Sequence, residues 1–296
     1  MGNGALIDAT QLPASSRPHS FGGRLLNSLS LSIVFAKSSF AIMLAHRVRY
    51  VIGVINYITY CAVNYYLWEA LFDIKKDHPS PMYAGWSLSE IQTYVCVNWI
   101  VRSAYFSNSD NLLAARINKG EITTDLMRPT SLFLQFYGSA VGEVVFRIGF
   151  MALPVLALAL WIFRIQPPAG ALSAVLFAYS IVLAFNIFFA VNFLTGLCAA
   201  YTEKIQGFLW AKFMLLQFMS GLLLPLSFFP APLRAVFDLL PFKGLADTPM
   251  NIYLGRYPLA QLQRELLLQT AWTIVLLLMC KWMWNAVRRR LSILGG

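Results

Sequence analysis

The sequence predicts an all-α integral membrane protein with six transmembrane helices, and three observations carry that prediction. Hydrophobic residues make up 58% of the 296 and charged residues only 12%, about half the share of charge in an ordinary soluble domain. The apolar residues fall in long blocks, one of which, residues 165–202, holds no charge at all, as membrane spans of about 20 residues do. The blocks are continuous rather than alternating with a period of two, which excludes an outer-membrane barrel. The same composition excludes secreted disulfide scaffolds, fibrous chains and disordered chains.

Residues 1–20 are polar and rich in Ser and Pro, with no apolar core for a signal peptide. They are expected to form a disordered tail, leaving 21–296 as a single transmembrane domain. Residues 21–47 are apolar but interrupted by serines, Lys37 and the start of His46-Arg47-Val48-Arg49, a pattern that predicts an interfacial helix ending at a basic membrane edge. Six spans follow at about 50–71, 88–106, 134–163, 171–200, 205–224 and 266–287. The third exceeds what a hydrocarbon core of about 30 Å needs and is expected to emerge from the membrane at its start. Gln166-Pro-Pro-Ala-Gly170 marks the tight turn into the fourth.

Six spans place both termini on one side. On that side lie five basic residues before span one, three between spans two and three, one between four and five and three at the C-terminus, twelve against seven on the other. By the positive-inside rule both termini are cytoplasmic. The net charge of +10 belongs to membrane-flanking loops and anionic lipid rather than nucleic acid, because no basic stripe is interleaved with stacking aromatics. Cys61, Cys96, Cys198 and Cys280 sit in apolar blocks without metal-ligand spacing and read as small core residues. His19, His46 and His78 read as surface histidines.

Two loops are more than connectors. After span two, Ser109 or Asp110 can cap a short helix on which Leu112, Leu113, Arg116 and Ile117 occupy adjoining positions, and Gly120 can end it in the left-handed region. Glu121, then Asp125-Leu126-Met127-Arg128-Pro129, add a second polar and apolar corner, with Pro129 suited to the first turn of span three. A hairpin loop lying on lipid and a docking site for a cytoplasmic partner both fit these residues. Before span six, the apolar runs 222–224, 226–229 and 236–240 are broken by prolines. Such a segment suits neither water nor a single helix, and short re-entrant helices shielded by protein satisfy both constraints. Pro225, Phe228, Phe229, Pro230 and Pro241 are its candidate residues, as an interfacial cap or as an external gate.

Inside the spans, Glu143 and Arg147 have the favourable i,i+4 order for a helical ion pair. Glu69, Glu90 and Arg102 must face protein, water or headgroups, since a charge facing lipid costs a few kcal/mol. Glu69 and Glu90 lie near the outer edge, where snorkelling, a substrate contact and a proton relay are the readings open. The chain has no phosphate loop, no HExxH zinc helix, no nucleophile elbow and no acidic cluster for a metal site.

The stretch Ile117-Asn-Lys-Gly-Glu-Ile-Thr-Thr-Asp-Leu-Met-Arg-Pro129 resembles the I-x-x-G-x-I-x-x-x-L-x-R-P signature of permease subunits of ABC exporters of the type-two class, in a bacterial branch. His46-Arg-Val-Arg49 and Leu222-Leu-Leu-Pro-Leu-Ser-Phe-Phe-Pro230 are similar to the same family, from about residue 25 to the end. The resemblance implies a bacterial inner-membrane permease in which the helix after span two is a coupling helix seated in a separate ATPase subunit. Leu112, Leu113, Arg116, Ile117, Gly120, Glu121, Asp125, Leu126, Arg128 and Pro129 would then form the ATPase contact. It further implies two ATPase subunits carrying ATP and Mg, no cofactor in this chain, and a second permease chain, identical or a sister. Substrate would pass between the permease chains along spans one, two and five, and the aromatic-rich spans suit an amphipathic cargo. An ion-coupled carrier or channel is the rival reading. A lipid enzyme would need a clustered site that these residues do not provide.

Overall fold

The computed structural model describes residues 21–74, 83–127, 130–202 and 204–294. The tail 1–20, His78, Arg128, Pro129 and the side chain of Leu126 lie outside what it describes. No strand occurs among the described residues beyond the single bridge between Tyr83 and Trp86.

Helix α1 (Phe21–Ala45) meets α2 (Arg47–Asp73) at His46, with a bend of 86° between Leu31–Ala45 and Tyr50–Asp73. Next comes α3 (Leu88–Tyr105), opened by a capping box in which the Ser87 hydroxyl accepts from the Glu90 amide and Glu90 accepts from the Ser87 amide at 2.9 Å. The turn after α3 carries α4 (Ser109–Asn118) and α5 (Ile122–Leu126), separated at Gly120 with φ +73°. Helix α6 (Leu132–Arg147) runs through a π-turn at Ile148–Ala152 into α7 (Leu153–Ile162). Pro154 explains the π-turn: it has no amide to donate and its ring crowds the preceding turn, so the helix widens just before it. After the Gln166–Gly170 turn, α8 (Ala171–Leu197) continues as a 3-10 turn to Ala200.

Helix α9 (Gln206–Met219) stops at Ser220 and Gly221, whose φ is +81°. Beyond it the chain forms a 3-10 turn (Leu226–Phe228), α10 (Ala231–Leu239), a second 3-10 turn (Pro241–Leu245), α11 (Asp247–Tyr253) and finally α12 (Leu259–Leu294).

Among the described residues, three continuous helices are long and apolar enough to cross a membrane unaided: Leu132–Ile162, Ala171–Ala200 and Leu259–Arg289, with the bent α1–α2 pair a fourth if counted as one. Of the other expected spans, α3 has 18 residues and a polar buried face of Gln92, Thr93, Asn98 and Arg102. The expected fifth span is shorter than the sequence suggests: the 14 residues of α9 rise about 21 Å. The sixth is longer, since α12 has 36 residues, about 54 Å of helix.

Helix α8 is the central post, packed against α12, α4, α3 and α11. The apolar core divides along it into two clusters. One gathers Leu113, Leu132, Phe136, Phe189, Phe193, Leu209 and Trp284 at the α4 end, and the other gathers Trp86, Ile91, Tyr94, Val155, Leu222 and Met250 at the opposite end.

Helix α1 lies against α6 through glycines rather than through a lipid-facing stripe alone. A Cβ on Gly138 would stand 2.5 Å from the Ser32 carbonyl oxygen, and one on Gly142 would overlap the Ala36 carbonyl. Gly138 and Gly142 thus form a small-xxx-small seam that brings two backbones into contact. Gly142→Val should lower the melting temperature of the solubilised chain through an overpacking cost of about 1–3 kcal/mol. Gly207→Ala, where the space is open, should not; equal melting temperatures for the two would show that α1 is not seated by this seam.

Candidate functional site

At the α4 end the polar residues are joined into one network. Lys212 of α9 pairs with Asp110 in the first turn of α4 and donates to Asn192 Oδ1 of α8 at 2.7 Å, and Asn192 Nδ2 donates to the Ser107 carbonyl at 3.0 Å. Three helices therefore meet on one ammonium, and Asn192 ties the loop before α4 to the same network. The inner face of α4 completes the seat: Leu113 is 0% exposed and lies where a Cβ on Gly196 would be only 2.9 Å from its own Cβ. Ile117 and Ile122 are buried beside it. Arg116 reaches across Gly120 to Asp125 at 2.6 Å, and Gln135 Nε2 donates to the Asp125 carbonyl at 2.9 Å, fixing the α4–α5 corner to α6.

The buried arginines stand just beyond this seat. Arg147 pairs with Glu143 at 2.9 Å, and its guanidinium lies 5.2 Å from the centre of the Phe106 ring and 5.6 Å from that of Tyr50. Arg102, 4% exposed, has its guanidinium 5.3 Å from the Phe106 and Phe213 rings and 5.8 Å from Phe188. Each ring contact with a desolvated cation contributes about 0.5–2 kcal/mol. Phe106, at the end of α3, is thus shared by both guanidiniums.

Two cavities flank the network. One of about 530 Å³ lies between the end of α3, α8 and α9, lined by Phe106, Asp110, Phe188, Asn192, Lys212 and Phe213 among others. The other, about 550 Å³, separates α1 from α4 and α6 and exposes Ser38, Ser139, Glu143 and Arg147.

At the opposite end, Asp247 is the hub of the segment before α12. Its Oδ1 accepts from the Leu226 amide at 3.0 Å and from the Tyr94 hydroxyl at 3.1 Å, and its Oδ2 accepts from Asn251 at 3.0 Å. Burial raises its carboxyl above the ordinary aspartate range, against the pull of the nearby Lys243 charge. Burial opposes the charge on Lys243 too, but Asp238 at 2.7 Å, with Asp247 and Glu265 nearby, outweighs it and holds the ammonium above its usual value. Arg256 lies 3.8 Å over the Trp86 ring and pairs with Glu90 at 2.8 Å.

The residues singled out by sequence divide accordingly. Among the candidate contact residues, Leu112, Gly120 and Glu121 are exposed and Arg116 half-buried, whereas Leu113, Ile117 and Asp125 face into the protein and anchor the corner from below. The cap position of α4 falls on Asn108, without a side-chain bond, rather than on Ser109 or Asp110; Asp110 lies inside the first turn, where its Oδ1 accepts the Asn111 amide at 2.8 Å while its Oδ2 holds Lys212. The outward residue missed by the signature is Met127, 86% exposed. In the segment before α12, Pro225 and Pro241 are buried, Phe228 packs on Trp68 at 5.5 Å, Phe229 meets Phe218 and Phe237 at 4.9 and 5.4 Å, and Pro230 opens α10. Of the charges within spans, Glu143 and Arg147 form the expected pair, Glu90 caps its helix and binds Arg256, Arg102 is enclosed by rings, and Glu69 is exposed. Lys212 and Asp247 escaped the sequence reading. The signal for Lys212 was its position as the one charge between 205 and 224.

Long apolar helices, bare on their outer faces and folded around buried charges, define a multi-pass membrane protein. The chain belongs to the ABC-2 transporter family: the model of the "ABC-2 family transporter protein" matches residues 58–295. It is a type-two permease, the membrane subunit of an ABC transporter, which works with an ATPase partner. No curated protein matches the sequence.

Proposed function

We propose that this chain lines the translocation path of a bacterial inner-membrane exporter built from two permease chains and two ATPase subunits that carry ATP and Mg. In this reading α2, α3, α6–α7, α8, α9 and α12 are the six spans, α1 lies at the cytoplasmic interface, and both termini are cytoplasmic. Helix α4 is the coupling helix. The observation that supports its role is the contrast between its two faces: Leu113, Asp110 and Ile117 are locked into α8 and α9, while Leu112, 46% exposed, and Met127 on the adjoining corner stay bare. A bare outer face on a rigidly seated helix is what a stroke from a partner needs. Closure of the paired ATPases would push α4 and, through Lys212 and Asn192, tilt α9 and α8 together. The segment from Leu226 to Tyr253 would form the external gate.

Affinity purification of the full tagged chain in mild detergent tests this. A phosphate-loop ATPase should co-purify in stoichiometric amount, and Leu112→Asp with Met127→Asp should cut its recovery about tenfold or more, as loss of central apolar contacts does. Because both side chains are exposed, the melting temperature of the permease should not change. Undiminished ATPase recovery by this variant would remove the docking role from the corner.

A further inference from the structure

The cavity of about 530 Å³ between α3, α8 and α9 has the size of a small-molecule site, and the charge around it is unbalanced. Asp110 and Lys212 neutralise each other as an ion pair, and Asn192 and Ser107 complete their hydrogen bonds. Arg102 is left over. It makes no ion pair among the described residues, it is buried behind Phe106, Phe188 and Phe213, and it is close enough to Lys212 for the two like charges to repel. The charges on the wall itself, Asp110 and Lys212, balance, and Arg102 behind the rings adds one uncompensated positive charge to the surroundings of the cavity, in a setting of low polarity where an anion is favoured and a cation excluded. The same three rings face the cavity, and Trp210, 58% exposed, stands at its rim beside the polar side chains of Asn111 and Gln206.

We propose that this cavity binds an amphipathic anion. Its headgroup lies at Lys212 and Asn192 in the field of Arg102, and its apolar body lies along Phe213 and Trp210. Lys212 acts directly on the headgroup, and Arg102 acts through the rings as a fixed positive charge. Since Lys212 also holds Asp110 of α4, an anion arriving at Lys212 competes with Asp110 for it. Occupancy would then loosen the first turn of α4, so that the loaded permease presents a different coupling helix from the empty one. The fate of the ligand as cargo rests on the exporter reading; its binding does not.

The test is equilibrium binding of dodecyl phosphate, dodecanol and dodecyltrimethylammonium to the full chain in phosphatidylcholine nanodiscs, with uptake by empty discs subtracted. Dodecyl phosphate should bind at least about tenfold more tightly than the alcohol and the ammonium, the effect of one uncompensated charge at short range. Arg102→Gln should abolish that advantage and Arg102→Lys restore most of it. Equal binding of phosphate and alcohol, preference for the ammonium, or an unchanged advantage in Arg102→Gln would overturn the proposal. If Arg102→Gln does not fold, the ranking of the three probes on the unaltered chain decides alone. Adding phosphatidylglycerol to the discs identifies the source: displacement of dodecyl phosphate supports an anionic membrane lipid in the site, and undiminished binding supports a free amphipath. A flat ranking would leave the ATPase capture experiment intact, and failure of that capture would leave the ranking intact, so the two proposals fall separately.

Discussion

Glu143→Ala should destabilise the solubilised chain by about 3–5 kcal/mol, the usual cost of stripping one partner from a buried ion pair. The pair is closed at 2.9 Å and both side chains are largely covered, so Arg147 would keep its charge without its carboxylate. Its remaining contacts, with the Phe106 and Tyr50 rings and with Met151 Sδ at 3.4 Å, cannot replace a full negative charge. Arg147→Ala should cost less: both groups border the cavity beside α1, but a carboxylate left without its partner can take up a proton and become neutral, whereas a guanidinium keeps its charge. The decisive comparison is the double variant Glu143→Leu with Arg147→Met. Apolar replacement of a complete buried pair is often neutral, so its melting temperature should return close to that of the parent chain. A double variant as unstable as Glu143→Ala would mean that the ring contacts of Arg147, rather than the pair, hold α6 to α2 and α3.

How far the sequence foretold this depends on whether a feature was local. The Glu143–Arg147 pair was legible because i,i+4 spacing on one helix decides it. The same holds for Gly120, whose left-handed φ follows from its place between two short helices, and for the prolines that break the segment before α12. Features built across helices were not legible. Nothing in the spacing of Asp110 and Lys212, 102 residues apart, announces their pairing, which takes one oxygen of Asp110 while the other accepts the Asn111 amide. Leu113 and Leu112 are equally apolar in sequence. Only the close approach of α4 to Gly196 decides which one is buried and which is exposed.

The length of α9 shows the same limit in another form. An apolar run to Leu224 reads as helix by hydropathy, yet the backbone turns at Gly221 because the Ser220 carbonyl accepts the Asp247 amide at 2.9 Å and the Gly221 carbonyl accepts the Tyr94 hydroxyl at 2.7 Å. Both partners are distant in sequence, on α11 and α3. A single-residue reading of residues 205–224 has no access to either bond, so the expected span overran the true helix.

Asp247→Ala should cost about 2–4 kcal/mol, since it leaves the buried Leu226 amide without an acceptor and removes one bond each from Tyr94 and Asn251. Tyr94 and Asn251 keep second partners, the carbonyls of Gly221 and Asp247 itself, which caps the loss. Asp247→Asn should be far milder, because the amide oxygen can still accept from Leu226 and Tyr94. The contrast separates the acceptor from the charge. With its carboxyl raised above the ordinary aspartate range, the folded chain holds this proton more tightly than the unfolded chain does. This group's contribution is therefore fully present below the unfolded value of about 3.9 and is lost as pH rises through the raised folded value. Both variants remove this carboxyl and should flatten that part of the stability profile, and Asp247→Ala should in addition lower the whole profile. Limited proteolysis gives the local readout: in Asp247→Ala the segment 221–245 should become cleavable while α8 stays protected. Equal protection in the two variants would show that the stitch between α3, the Leu226 turn and α11 does not hold residues 221–245 in place.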